Sequence, residues 1–176
     1  MDKQKKKLIA LALAILLIAV FSGSTLAYYT VIGTATNVVT SGEIRMKIQE
    51  TGADGKPFPK DGVVVIPGDT VAKEVTVNNI CGHPFWLRVE LVQGSSKEQN
   101  LSAAKAMQIL DLNENDWTLK GNYFYYNQIL EPGKKTEPLF TKVHISGENV
   151  DQHDVGTALT ITVKAEAVQS EHNPAQ

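Results

Sequence analysis

The stretch LTITVKAEA, residues 159–167, decides the fold class, because its apolar and polar residues alternate strictly. In an extended chain, successive side chains point to opposite faces, so Leu159, Ile161 and Val163 share one face and the threonines lie on the other. This pattern is typical of a strand in a sheet that is buried on one side and exposed to water on the other.

The same period of two recurs elsewhere in the chain. The further alternating segments are residues 44–48, 75–77, 85–91 and 143–145, and 63–66 is a short apolar run that fits a more buried strand. Turns rich in glycine, proline and aspartate separate these segments. We therefore predict an all-β fold, an antiparallel β-sandwich. Its predicted core residues are Phe85, Leu87, Val89, Leu159, Ile161 and Val163.

One segment departs from this pattern. Within residues 101–112, Leu101, Ala104, Met107 (or Gln108) and Leu112 recur at helical spacing. We predict one short helix here, inserted between strands.

The N-terminus has the order of a signal peptide. Lysines between Lys3 and Lys7 precede an apolar run of 14 residues, Leu8–Phe21, and small residues follow up to Ala27. As a helix the run would span roughly 21 Å, less than a hydrocarbon core of about 30 Å. We predict cleavage between Ala27 and Tyr28. The alternative is an uncleaved membrane anchor, since apolar residues resume at 26–32; either way the remainder lies outside the cytoplasm.

The predicted domain organisation follows from these segments. Residues 1–27 are a signal peptide, 28–41 an N-terminal strand segment, 42–169 the β-sandwich and 170–176 a polar tail. The net charge is −2, and the leader with four lysines and one aspartate carries +3, which leaves −5 for the remainder. This balance argues against nucleic-acid binding. The single cysteine, Cys81, excludes an internal disulfide.

Four pieces of sequence, taken in order, resemble the TasA/camelysin (CalY) family of Gram-positive bacteria. The pieces are GSTLAYY at 23–29 with TSGEI at 40–44; IPGDTV at 66–71 with VTVNN at 75–79; WTL, YFYYN, LEPGKKT and LF between 117 and 140; and ITVKAEAVQ at 161–169. The resemblance covers nearly the whole chain. It implies a jelly-roll-like β-sandwich, export with a leader cut by the signal peptidase SipW, and a place in an extracellular biofilm-matrix fibre.

In TasA-like fibres the mature N-terminal segment inserts as a strand into the next subunit. The matching positions here are 28–39, and the predicted donor residues are Tyr28, Tyr29, Val31, Ile32, Thr34, Thr36 and Val38. The segment is β-prone, uncharged and free of proline, so it would be prone to aggregate if unpaired. Donation to a neighbour would satisfy its backbone. The alternative is an edge strand of its own sandwich.

Enzymatic features are weak. Camelysin-type proteins have been classed as metallopeptidases, but the chain has no His-Glu-x-x-His, and its histidines are scattered at positions 83, 144, 153 and 172. Asp151, His153 and Asp154 fit a solvated loop better than a metal site. The segment beginning at Asp111 starts like a calcium loop but lacks the glycine and the final glutamate.

The aromatic residues Trp117 and Tyr123–Tyr126 fit either core-facing strands or a sugar-binding platform.

Taken together, the leader, the strand pattern and the family resemblance predict a non-enzymatic, self-associating fibre subunit or accessory without cofactor. The rival predictions are a secreted metallopeptidase and a monomeric surface-binding module.

Overall fold

The computed structural model describes residues 29–39, 44–96, 105–148 and 157–171. The predicted signal peptide, its cleavage position at Ala27 and Tyr28, and the loop with Asp151, His153 and Asp154 lie outside these ranges. No helix in the described ranges is long and apolar enough to cross a membrane.

The all-β prediction is confirmed, because 56% of the described residues are in strands and almost none are in a helix. In chain order they are β1 (Tyr29–Val39), β2 (Met46–Thr51), β3 (Val63–Val65), β4 (Thr70–Ala72), β5 (Glu74–Asn79), β6 (Phe85–Ser95), β7 (Met107–Leu110), β8 (Trp117–Lys120), β9 (Tyr123–Tyr126), β10 (Lys142–Ile145) and β11 (Thr157–Gln169).

The longest sheet has six strands in the order β3-β1-β11-β6-β9-β8. At its centre β11 runs antiparallel to β6, with Val163 opposite Leu91 and Ala165 opposite Val89. Along β11 every second side chain is buried, as the alternation of its sequence requires. The six residues expected in the core are each at most 3% exposed.

Two smaller sheets, β4-β10-β7 and β2-β5, face this long sheet. Backbone hydrogen bonds link them, because Thr136 donates to the Val77 carbonyl, Leu139 to that of Val75 and Lys73 to that of Thr141. Buried side chains from all three sheets form one hydrophobic cluster. The inner face of the long sheet is thereby covered, while its outer face stays half exposed.

One strand pair departs from the predicted antiparallel arrangement. β1 runs parallel to β11 over eleven residue pairs. A parallel pair needs a long crossover connection, and here the chain between the first and last strands supplies it. Alternation within a segment carries no information about the direction of its partner.

The predicted helix is wrong over Met107–Leu110, which forms β7. Met107 pairs with Ile145 and Ile109 with Val143, so this segment completes the β10 sheet. Lys105 is the only described residue of the segment in helical conformation, and residues 101–104 lie outside the described ranges. Short apolar patterns fit both periods, and tertiary pairing decided between them.

Candidate functional site

Strand β1 is held mainly from one side. It pairs with β11 from Tyr29 to Val39, but with β3 only from Tyr29 to Val31. Within the described ranges, Ile32–Val39 therefore forms the edge of the sheet next to β11. An edge strand of this kind leaves one row of backbone groups without a ladder partner.

Contact of β1 with the core is concentrated near its start. Val31 has no exposed surface and lies between Leu159 of β11 and Val63 of β3 in the ladder. By contrast, Thr34 and Ala35 are exposed. Among the β1 side chains whose burial is described, Val31 is thus the anchor.

The structure places the predicted donor residues Tyr29, Val31, Ile32, Thr34, Thr36 and Val38 together in β1, whereas Tyr28 lies outside the described ranges. In the single chain they pair intramolecularly, which is the second of the two arrangements expected for this segment. Donation between chains stays a prediction.

Removal of β1 would leave a defined acceptor. The backbone of residues 157–167 would lose its partner on one side, and the space that Val31 fills between Leu159 and Val63 would open. A second copy of the same strand would fill both, since its backbone and side chains are identical.

A cleft of about 320 Å³ lies on the outer face of the long sheet, over β11, β6, β9 and β8. It opens where β6 and the chain after β9 diverge. Between the pair Arg88–Tyr125 and the bridge Phe85–Leu130, β6 has two residues while the opposite chain has the four residues 126–129. The two additional residues interrupt the ladder locally, as in a bulge.

Paired charges cross this face. The Arg88 guanidinium contacts Glu166 Oε2 at 2.6 Å from Nη2 and 2.8 Å from Nε, and it donates to the Tyr125 hydroxyl at 3.2 Å. These hydrogen bonds, to Tyr125 first and then Glu166, raise the pKa of Arg88 above its ordinary value. The guanidinium also lies 4.2 Å from the ring centroid of Tyr123. Arg88 is therefore fixed in place.

The aromatic residues singled out in the sequence divide between the two faces. Trp117 and Tyr126 are buried, with ring centroids 5.0 Å apart, and the Trp117 indole donates to the Glu137 carbonyl. Tyr125, in contrast, lines the cleft together with Trp86 of β6. The core-facing interpretation is confirmed for Trp117 and Tyr126, while the sugar-binding platform stays a prediction.

A buried ion pair was missed by the sequence analysis. Lys73 has no exposed surface, its Nζ lies 2.9 Å from Glu50 Oε2, and it sits 4.1 Å from the ring centroid of Phe58. Burial lowers the pKa of Lys73, and the nearby Glu50 charge opposes this shift. The sequence did contain an indication of this burial. Lys73 lies two residues before Val75 and four before Val77, so in an extended chain it falls on the same buried face.

The described residues hold no cluster of three or more histidine, cysteine, aspartate or glutamate side chains suited to a metal. The Asp111 carboxylate accepts from Lys142 and Thr141, and these hydrogen bonds lower its pKa. Cys81 is buried, with its thiol donating to Asn79 Oδ1 at 3.0 Å.

Comparisons of the chain with models of known protein families, with curated proteins and with solved structures gave no match.

Proposed function

We propose that this chain is an exported structural protein, a subunit or accessory of an extracellular biofilm-matrix fibre whose subunits are joined by donation of residues 28–39. The observation that carries the proposal is the position of β1, which is the first strand and has a ladder partner on one side over most of its length. The resemblance to the TasA/camelysin family supports the same function.

Exchange of β1 is topologically simple, because β1 is the first strand of the described residues and no other described strand precedes it. The hydrogen bonds to residues 157–167 are the same whether β1 comes from its own chain or from a neighbour. The balance between the two states then depends on concentration and on strain in the connection to β2. Each chain donates one strand and accepts another, and such head-to-tail donation builds filaments when the rotation between neighbours does not close into a ring.

The parallel direction of β1 is consistent with a strand that docks after the rest has folded. Every other strand pair in the described sheets is antiparallel. A strand supplied by another molecule is not restricted by a hairpin and can take either direction. We propose that β2–β11 form a jelly-roll-like β-sandwich that β1 completes.

Export and processing would control assembly. Cleavage after Ala27 would create a free N-terminus at Tyr28, one residue before β1 begins. An uncleaved leader would tether β1 to the membrane and limit its transfer to another chain. A SipW-type signal peptidase is the expected processing partner, and the mature protein is expected in the extracellular matrix or at the cell surface.

The test compares residues 28–176 with residues 40–176 by electron microscopy and size-exclusion chromatography. We expect filaments from the first protein and soluble, non-polymerising subunits from the second. A synthetic peptide of residues 28–39 should bind the truncated protein and stabilise it without restoring filaments, since it carries no subunit. Filaments from the truncated protein would overturn the proposal.

The intramolecular pairing of β1 favours one rival, a monomeric surface-binding module. In that case residues 28–176 would remain monomeric at all concentrations, and the peptide of residues 28–39 would not displace β1.

A further inference from the structure

We propose that the outer-face cleft, lined by Trp86, Arg88, Thr118, Tyr125, Asn127 and Glu166 among others, binds a neutral sugar unit of a polysaccharide. The cleft lies over β6, β8, β9 and β11, so the proposal does not depend on whether β1 is exchanged between chains.

The cleft has the size and origin of a binding site. Its volume of about 320 Å³ falls at the lower end of the range found for small-molecule pockets, about 300–1,000 Å³. Trp86, Leu87, Tyr126 and Asn127 of its lining lie where two residues of β6 oppose four of the neighbouring chain, between the pairs Arg88–Tyr125 and Phe85–Leu130. Because both ends of the divergence are fixed by backbone pairing, the cavity is built into the sheet.

The lining offers both surfaces that a sugar ring needs. A pyranose has an apolar face of C–H groups and a rim of hydroxyls, so it binds where an aromatic ring lies beside hydrogen-bonding groups. The aromatic part is supplied by Trp86 and Tyr125, both half-buried. The Lys120 ammonium lies 5.3 Å from the ring centroid of Tyr125, so we assign the stacking contact with the sugar to the indole of Trp86.

The polar groups are held in defined orientations. The Asn127 amide accepts from Thr118 at 2.7 Å and donates to the Asn115 carbonyl at 3.0 Å, although its side chain is exposed. Both Arg88 contacts to Glu166 fall on Oε2, and a carboxylate has about four acceptor sites in total. A sugar hydroxyl can therefore donate to Glu166 while the ion pair stays intact.

The charge of the cleft favours a neutral ligand. Arg88 is compensated by Glu166, and Lys120 is the other charged residue of the lining. Polyanions such as nucleic acids need several basic contacts. A protein partner is the other candidate occupant, because Trp, Tyr and Arg are typical hot-spot residues. Hot spots lie in fully desolvated pockets, however, whereas Thr118, Lys120 and Asn127 remain exposed around this cleft.

The experiment uses residues 28–176 labelled with ¹⁵N, titrated with cellohexaose, maltohexaose and chitohexaose. The chain has two tryptophans, so the indole region of the spectrum contains two side-chain signals, which Trp86→Phe assigns. We expect at least one oligosaccharide to shift the Trp86 indole signal and leave that of the buried Trp117 in place. Trp86→Ala should weaken binding by about tenfold or more, as loss of an aromatic contact predicts.

Asn127→Ala provides a second variant, since this exposed side chain is not needed for the core, and it should also weaken binding. Leu119→Ala, exposed but outside the cleft lining, is the matched control and should bind like the parent protein. The proposal is overturned if none of the three sugars moves the Trp86 signal, or if Trp86→Ala and Asn127→Ala bind as the parent does. A shift of the same signal by peptides alone would also overturn it.

Discussion

Val31 of β1 and Leu159 of β11 are partners in a parallel ladder, and neither side chain has any exposed surface. The first and last of the described strands thus meet in the core through these two residues. Because Thr34 and Ala35 further along β1 are exposed, the packing of β1 against the core depends strongly on Val31.

Val31→Asp should detach β1 from the sheet, because a carboxylate without a partner cannot be buried there. We expect a loss of about 3 kcal/mol or more in the free energy of unfolding, measured by urea denaturation. Thr34→Asp on the same strand is the control and should change it by about 0.5 kcal/mol or less, since that side chain is exposed. Equal stability of the two variants would contradict the role of Val31.

Lys73→Met should destabilise the protein by about 3–5 kcal/mol, because it leaves the Glu50 carboxylate nearly buried without its partner. The double variant Lys73→Met with Glu50→Leu should recover much of this loss, since no charge is then buried. Urea denaturation of the parent, the two single variants Lys73→Met and Glu50→Leu, and the double variant gives the coupling energy between the two residues. A single Lys73→Met variant as stable as the parent would show that the pair contributes nothing.

The stability contribution of Lys73 should depend on pH in a defined direction. Its pKa in the folded state is lowered from 10.5, chiefly by burial, so the unfolded state binds more protons between the two values. The free energy of unfolding should therefore rise with pH from the lowered pKa up to about 10.5. This rise should be absent from the Lys73→Met variant, and a parallel pH dependence of the two proteins would refute it.

Asn79→Ala should destabilise the protein by about 1–3 kcal/mol or more, because it leaves several buried polar groups without their hydrogen-bond partner. The Asn79 amide donates to the carbonyls of His83 and Leu130, and its oxygen accepts from the Cys81 backbone and thiol. Thermal denaturation should show the loss, with Gln49→Ala as an exposed control on the neighbouring strand. A melting temperature equal to that of the control would contradict this role.

Much of the fold could be predicted from the alternation of apolar residues. It located β2, β5, β6, β10 and β11 and identified their buried faces, because burial on one side imposes a period of two. It failed at Met107–Leu110, where four residues fit either period and pairing with β10 decided the outcome. The parallel direction of β1 could not be predicted, since it depends on long-range docking.

Of the candidate sites, the first strand was identified from its composition, whereas the cleft was not. The cleft depends on a backbone divergence between Arg88–Tyr125 and Phe85–Leu130, and periodicity within one segment cannot show it. The Lys73–Glu50 pair could have been predicted from the alternation, because Lys73 lies two residues before the buried Val75 and therefore on the same face.

Strand donation between chains can be tested by disulfide trapping. Thr34 and Thr162 are partners in the β1–β11 ladder, at a spacing that a disulfide can bridge. Thr34→Cys and Thr162→Cys are placed in separate chains, with the single native cysteine removed by Cys81→Ala, and the two proteins are mixed before assembly and then oxidised. Lys56→Cys, in an exposed loop, replaces Thr162→Cys in the control mixture.

Donation between chains predicts that the mixture of Thr34→Cys and Thr162→Cys forms filaments whose subunits are joined by disulfides between the two different variants, and that the control mixture does not. Filaments without such cross-links, together with an intramolecular disulfide when both cysteines are in one chain, would contradict it.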